Sequence, residues 1–254
     1  MSLDSNADSS SPSSKPVTLN GQTSPIGRVV ALLEVILCSD YPTQAALAAT
    51  FAALGYEPYA SGQLRLGFVA VLSFLDAFLL VGLMIFFLHA HGERPRDVFL
   101  GHRPVSPEAR FGLPLVFLAL ALGFGILATI QRFAPSLHTV TTNPLEGLMR
   151  TPRDAWVFTF VVIVAGGVRE ELQRAFLLRR FELSLGGATF GLVVTSVAFG
   201  IGHLLQGVDA AITTGTLGAF WGIVYLRRRS VVAPMMSHSG FNLVQTIQFL
   251  IVGS

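Results

Sequence analysis

The sequence predicts an all-α fold: a polytopic transmembrane helical bundle of about seven spans, or eight. Two observations predict it. Of the 254 residues 52% are apolar and only 13% are charged, against about a quarter charged in soluble domains. Apolar runs long enough to cross a hydrocarbon core of about 30 Å also recur along most of the chain. Such a chain cannot cover its surface for water, so lipid is the expected solvent. A formal net charge of +2 supplies no basic face for nucleic acid. The single cysteine, Cys38, excludes an internal disulfide framework and a multi-cysteine metal cluster.

Residues 1–27 are rich in Ser, Asn, Asp and Pro with no apolar run and read as a disordered tail. The apolar stretch that follows is too long for the core of a cleavable signal. Spans are expected at 28–54, 65–91, 110–132, 154–181, 187–206, 209–226 and 231–252. Residues 28–149 thus form an N-terminal set of transmembrane helices, and 150–254 a C-terminal core. Between the second and third spans, GERPRDVFLGHRPVSPEAR is an exposed connection whose Val98, Phe99 and Leu100 suit a short interfacial segment. Asp154, just after Thr151 and Pro152, fits the start of the fourth helix, where the dipole favours an acid.

Orientation follows from the arginines, because positive connections stay in the cytoplasm. Lys15, Arg28, Arg94, Arg96, Arg103, Arg110, Arg179, Arg180 and Arg227 to Arg229 share one side; the other holds Arg65, Arg132, Arg150 and Arg153. A multi-pass protein of the plasma membrane, amino terminus inside, is the expectation.

Three stations of polarity interrupt the apolar helices. The fourth span carries Arg169, Glu170, Glu171, Gln173 and Arg174. A charge at the bilayer centre costs roughly 2.5 to 3.5 kcal/mol, so such residues face a protein interior or a wet cavity. Consecutive helical residues diverge by about 100°, so the two glutamates are expected to face different points, with Arg174 one turn from Glu170. Phe199 and His203 lie one turn apart on the fifth span, and His238 and Asn242 one turn apart on the seventh. Ser237, Ser239 and Gly240 alternatively mark a polar packing seam. Asp76, in the second span, suits the same cavity or a pair with Arg169.

Carboxylates, imidazoles and an amide in a dry cavity support hydrolysis in two ways. A carboxylate with an imidazole activates water while the other imidazole and the amide stabilise an oxyanion. Alternatively, histidines and a glutamate ligate zinc, but no HExxH is present to favour that reading. The expectation is a site with no metal and no cofactor. The same buried carboxylates also suit a proton-coupled transporter, although no inverted repeat relates the halves.

The motifs resemble those of the CPBP family of intramembrane proteases, the CAAX prenyl protease 2 or Rce1 type. The resemblance covers roughly residues 150–252 and rests on Glu170-Glu171-Leu172-Gln173-Arg174, on Phe199 with His203, and on His238 with Asn242. It implies an endopeptidase acting on a membrane-associated, CAAX-type peptide or protein. Glu170 with His203 would activate water, His238 and Asn242 would form the oxyanion site, and Glu171, Arg174 and Phe199 would support them. One departure is the arginine: two residues separate it from Glu171 where the family has three. A catalytically inactive scaffold or immunity-type protein of the same fold is the alternative that this departure suggests.

The depths of these residues pose a geometric question. His203 falls near one end of its span and His238 near the opposite end of another. Bending at Gly166 and Gly167, tilt, or a later start of the fifth span would bring them level.

Overall fold

The computed structural model describes residues 24–252. Of the expected tail, 1–23 lie outside the described residues, and 24–27 already belong to the fold. The Ser24 hydroxyl caps α1 (Pro25–Leu37) by accepting from the Gly27 amide at 3.1 Å, with proline at the first helical position, where its missing N–H costs nothing.

Over 28–54 the chain forms two helices rather than the one span expected. α1 ends at Leu37 and α2 (Tyr41–Ala53) follows, each 13 residues long. Asp40 between them has a φ of 81°, a left-handed conformation that the short polar Asp side chain tolerates. At 1.5 Å per residue each helix is about 20 Å long, short of a hydrocarbon core. Because both halves are apolar, the run hid the break.

A two-residue hairpin, β1 (Tyr59–Ala60) with β2 (Gln63–Leu64), turns the chain into α3 (Leu66–Ala90). α3 and α5 (Val105–Phe133) coincide with the second and third expected spans and are, among the described residues, the two helices long and apolar enough to cross a membrane. Their outward faces carry exposed Phe78, Phe86 and Phe117, whereas Leu80, Met84 and Leu88 are wholly buried. Large apolar side chains standing outward on long helices suit lipid rather than water.

The short α4 (Pro95–Phe99) forms where an interfacial segment was expected, but Val98 and Phe99 are buried in protein instead of resting at the interface. The Tyr225 hydroxyl donates to the Val98 carbonyl at 3.0 Å and the Val231 amide to the Phe99 carbonyl at 2.8 Å. These bonds draw the segment inward.

The fourth expected span is one continuous rod of three parts: α6 (Pro152–Val161), a π-helical stretch (Val162–Arg169) and α7 (Glu170–Ser184). Thr151 caps it by accepting from the Asp154 amide at 3.1 Å. α8 (Ala188–Ile201) is shorter than its expected span and is followed by a 3-10 turn (Leu204–Gln206). α9 (Val208–Arg228) and α10 (Val232–Val252) complete the bundle. α5 lies along α10, and α8 along α9, in both cases over small residues. A Cβ on Gly112 would stand 2.6 Å from the Ala233 carbonyl oxygen, and one on Gly200 2.7 Å from that of Ala211, which is why glycine occupies these crossings.

Candidate active site

The π-helical stretch sets the level of the site. Looser i→i+5 winding offsets everything that follows relative to an α-helix, and its glycine pair admits α10. A Cβ on Gly167 would collide with Ser239, and one on Gly166 would lie 2.8 Å from Asn242 Nδ2. Asn242 donates through that nitrogen to the Val162 carbonyl at 3.0 Å, tying α10 to the start of the stretch. Together with the early end of α8, this brings residues from each of the three stations to one cavity.

Both glutamates reach His238, contrary to the expectation that they face different points. The imidazole lies between them, with Nδ1 2.8 Å from Glu171 Oε1 and Nε2 3.9 Å from Glu170 Oε2. A ring with two nitrogens on opposite edges spans the angle between consecutive helical residues. Glu171 is buried and also accepts from Arg174. Arg174 therefore serves Glu171 three residues away, not Glu170 one turn away. Its guanidinium lies over Phe199, 4.9 Å from the ring centre, and within 5.9 Å of that of Trp221, a cation–π setting suited to a buried charge.

Glu170 differs from its neighbour. Its side chain forms no hydrogen bond among the described residues, and its nearest ionisable neighbours are Arg169 at 3.8 Å and His238 at 3.9 Å. Paired charges at such separations are held loosely compared with hydrogen-bonded ones. Its carboxylate is on the wall of a cavity of about 920 Å³ that His203, His238, Asn242, Phe199 and Arg169 also line. Glu171 and Arg174 stand behind this wall.

His203 is on the turn after α8, where its Nδ1–H donates to the Phe199 carbonyl at 2.8 Å. That bond fixes the tautomer and leaves the Nε2 lone pair available. His203 and Glu170 share the cavity but form neither a hydrogen bond nor an ion pair, so the two act on each other only through something held between them. The Phe199 ring lies between the imidazoles, 4.8 Å from that of His203 and 6.3 Å from that of His238. Phe124, Leu127, Phe158 and Phe241 supply apolar wall, and Asn143 and Gln206 a polar rim.

Two contributors were not picked out from the sequence. Trp221 of α9 stacks on His238 with ring centres 3.8 Å apart and planes at 15°, while its Nε1–H donates to Ser237 at 3.1 Å. Asp40 meets Arg169 at 3.1 Å. A tryptophan within an apolar helix gives no signal of the ring it will cover; Asp40 gave one, as an acid inside an apolar run. Asp76 is 3.9 Å from Arg169, taking the second of its two expected places. Among the described residues, no three His, Cys, Asp or Glu side chains come together as a metal ion's ligands would.

A family model described as type II CAAX prenyl endopeptidase Rce1-like matches residues 152–244. The matched stretch runs from α6 into α10 and holds both glutamates, both histidines of the cavity and Asn242. Comparisons with curated proteins and with solved structures give no match.

Proposed function

We propose that the chain, whose residues 152–244 match the family model of type II CAAX prenyl endopeptidases described as Rce1-like, is an intramembrane glutamate endopeptidase. Its substrate is a membrane-associated protein or peptide, and its hydrolysis needs no metal. The observation that carries this reading is Glu170, a carboxylate without a hydrogen-bonded partner among the described residues, on the wall of a cavity that it shares with His203, His238 and Asn242. The remaining helices would complete about seven crossings, with α1 and α2 together making one broken span.

In this mechanism a water lies between Glu170 and Nε2 of His203. Glu170 takes a proton from it as the oxygen attacks the scissile carbonyl, and His203 orients it by accepting its second hydrogen. The carbonyl oxygen becomes an oxyanion that the second N–H of Asn242 meets, together with Nε2–H of His238 when that ring carries both protons. The Glu171 carboxylate accepts from Nδ1–H and orients the ring, and Arg174 holds Glu171. Collapse of the tetrahedral species breaks the C–N bond, and the proton on Glu170 passes to the leaving amine.

Glu170→Gln keeps the shape and removes the base. In purified, folded protein, cleavage of a membrane-associated peptide is expected to fall about 10²- to 10⁴-fold, the usual contribution of a general base. Parental activity in this variant defeats the proposal, whereas activity abolished by a strong chelator and restored by zinc defeats its metal-free form alone. Comparing prenylated with plain CAAX peptides in the same assay reads out whether the lipid is recognised.

A further inference from the structure

Arg169 is buried among three carboxylates. Asp40 is 3.1 Å away, Glu170 3.8 Å and Asp76 3.9 Å. It also donates to Gln173 Oε1 at 3.0 Å, and Gln173 donates in turn to the Cys38 carbonyl at 2.8 Å. The two aspartates are themselves held. Gln44 donates to Asp40 Oδ2 at 2.8 Å, and the Thr43 hydroxyl is 2.6 Å from Asp76 Oδ1. Asp40 is the left-handed residue at the break between α1 and α2, so the break is what delivers its carboxylate to mid-bundle. None of Asp40, Thr43 and Asp76 falls within the residues that the family model matches.

A guanidinium beside a general base is a hazard to it. Arginine engages carboxylates through two parallel hydrogen bonds, and a carboxylate so engaged gives up much of its readiness to take a proton. Of the three carboxylates that of Asp40 is nearest the guanidinium, which hydrogen-bonds to Gln173 and makes no hydrogen bond to Glu170, its own chain neighbour. We propose that Asp40 and Asp76 are positioning residues which hold the Arg169 guanidinium back from Glu170, leaving that carboxylate free to accept the proton of the attacking water. The inference rests on the reading of Glu170 as the base. It makes α1 to α3 part of the active site rather than an accessory to the matched core.

Asp40→Asn tests it directly, since asparagine accepts the same left-handed backbone and removes only the charge. With one competitor gone, Arg169 turns to Glu170. The expected result is a fall in kcat of about tenfold, because pairing with arginine weakens a carboxylate as a base and the rate of proton transfer follows the strength of the base, with KM little changed. The double variant Asp40→Asn/Arg169→Gln is then expected to recover most of the lost kcat, because no guanidinium remains to seize the base. A purely structural role for Asp40 predicts the opposite: the double variant no better than the single. Asp76→Asn provides a second route if the first variant does not fold. The inference is overturned if both single variants melt like the parent and keep its kcat, or if the double variant shows no recovery. Glu170→Gln in the same assay separates the two levels: an inactive Glu170→Gln beside a fully active Asp40→Asn removes this inference alone, whereas an active Glu170→Gln removes the reading beneath it.

Discussion

Adjacent identical side chains carry unequal burdens here. Glu171 is buried, accepts from both Arg174 and His238, and stands behind the cavity wall. Glu170 lines the cavity, and its carboxylate makes no hydrogen bond among the described residues. Removing one member of a buried ion pair strands the other and costs about 3 to 5 kcal/mol. Glu171→Gln is therefore expected to lower the melting temperature and the activity together, leaving Arg174 without its carboxylate. Glu170→Gln is expected to lower activity with the melting temperature near the parent's. Thermal unfolding in detergent beside a peptide-cleavage assay reads both, and equal melting points for the two variants would contradict this division. The difference is invisible in the residue types. Helical angles alone send the two carboxylates apart; the packed imidazole, reached from α10, is what joins them.

At the scale of elements, the π-helical stretch Val162–Arg169 joins fold to site. It places Glu170 at its end and receives Ser239 and Asn242 against its two glycines. Gly167→Ala would force a methyl group into Ser239, and overpacking of this kind costs about 1 to 3 kcal/mol. The expected outcome is a lower melting temperature and a fall in kcat, as α10 withdraws and carries His238 and Asn242 with it. Gly125→Ala is the control, because a Cβ there meets nothing within 4 Å, and alanine is the better helix former. If Gly167→Ala matched Gly125→Ala in stability and rate, the stretch would not set the site's geometry.

The same scale shows where sequence reading succeeds. α3, α5, α9 and α10 were legible because an apolar run bounded by Arg, Pro and Gly marks both ends of a helix. The break at Asp40 was not, because apolar residues on either side are equally at home in one helix or two. Nor was the π-helical winding, which Gly166 and Gly167 foreshadow only as a place to bend. The one-turn spacings of Phe199 with His203 and of His238 with Asn242 put candidate residues on shared faces. The contacts of Trp221 with His238 and of Asp40 with Arg169 arise from packing between distant elements, which spacing along the chain does not encode.

The whole molecule is polar in its distribution of charge. The α3–α5 connection and the ends of α7 and α9 gather Arg94, Arg96, Arg103, Arg110, Arg179, Arg180 and Arg227 to Arg229 at one end. Several are neutralised locally: Arg228 pairs with Glu108, and Arg229 engages both oxygens of Glu182 at 2.6 and 2.7 Å. Arg94, Arg96, Arg110 and Arg227 remain exposed. The opposite end carries Arg65, Arg132, Arg150 and Arg153, and the rim of the cavity belongs to it. Asn143 lies in the α5–α6 connection, Gln206 in the α8–α9 connection and Gln248 near the end of α10. Arginine-rich connections are retained in the cytoplasm, so the cavity is expected to open away from it, towards a scissile bond presented on the outer face. Cys38 is wholly buried and silent to bulky reagents, which permits a direct test with single added cysteines. Ser136→Cys, exposed in the α5–α6 connection, is expected to react with a membrane-impermeant maleimide on intact cells. Ser106→Cys, exposed at the start of α5, is expected to react only after the membrane is opened. The reverse pattern would turn the molecule over and place the cavity, and with it the substrate's cleavage site, in the cytoplasm.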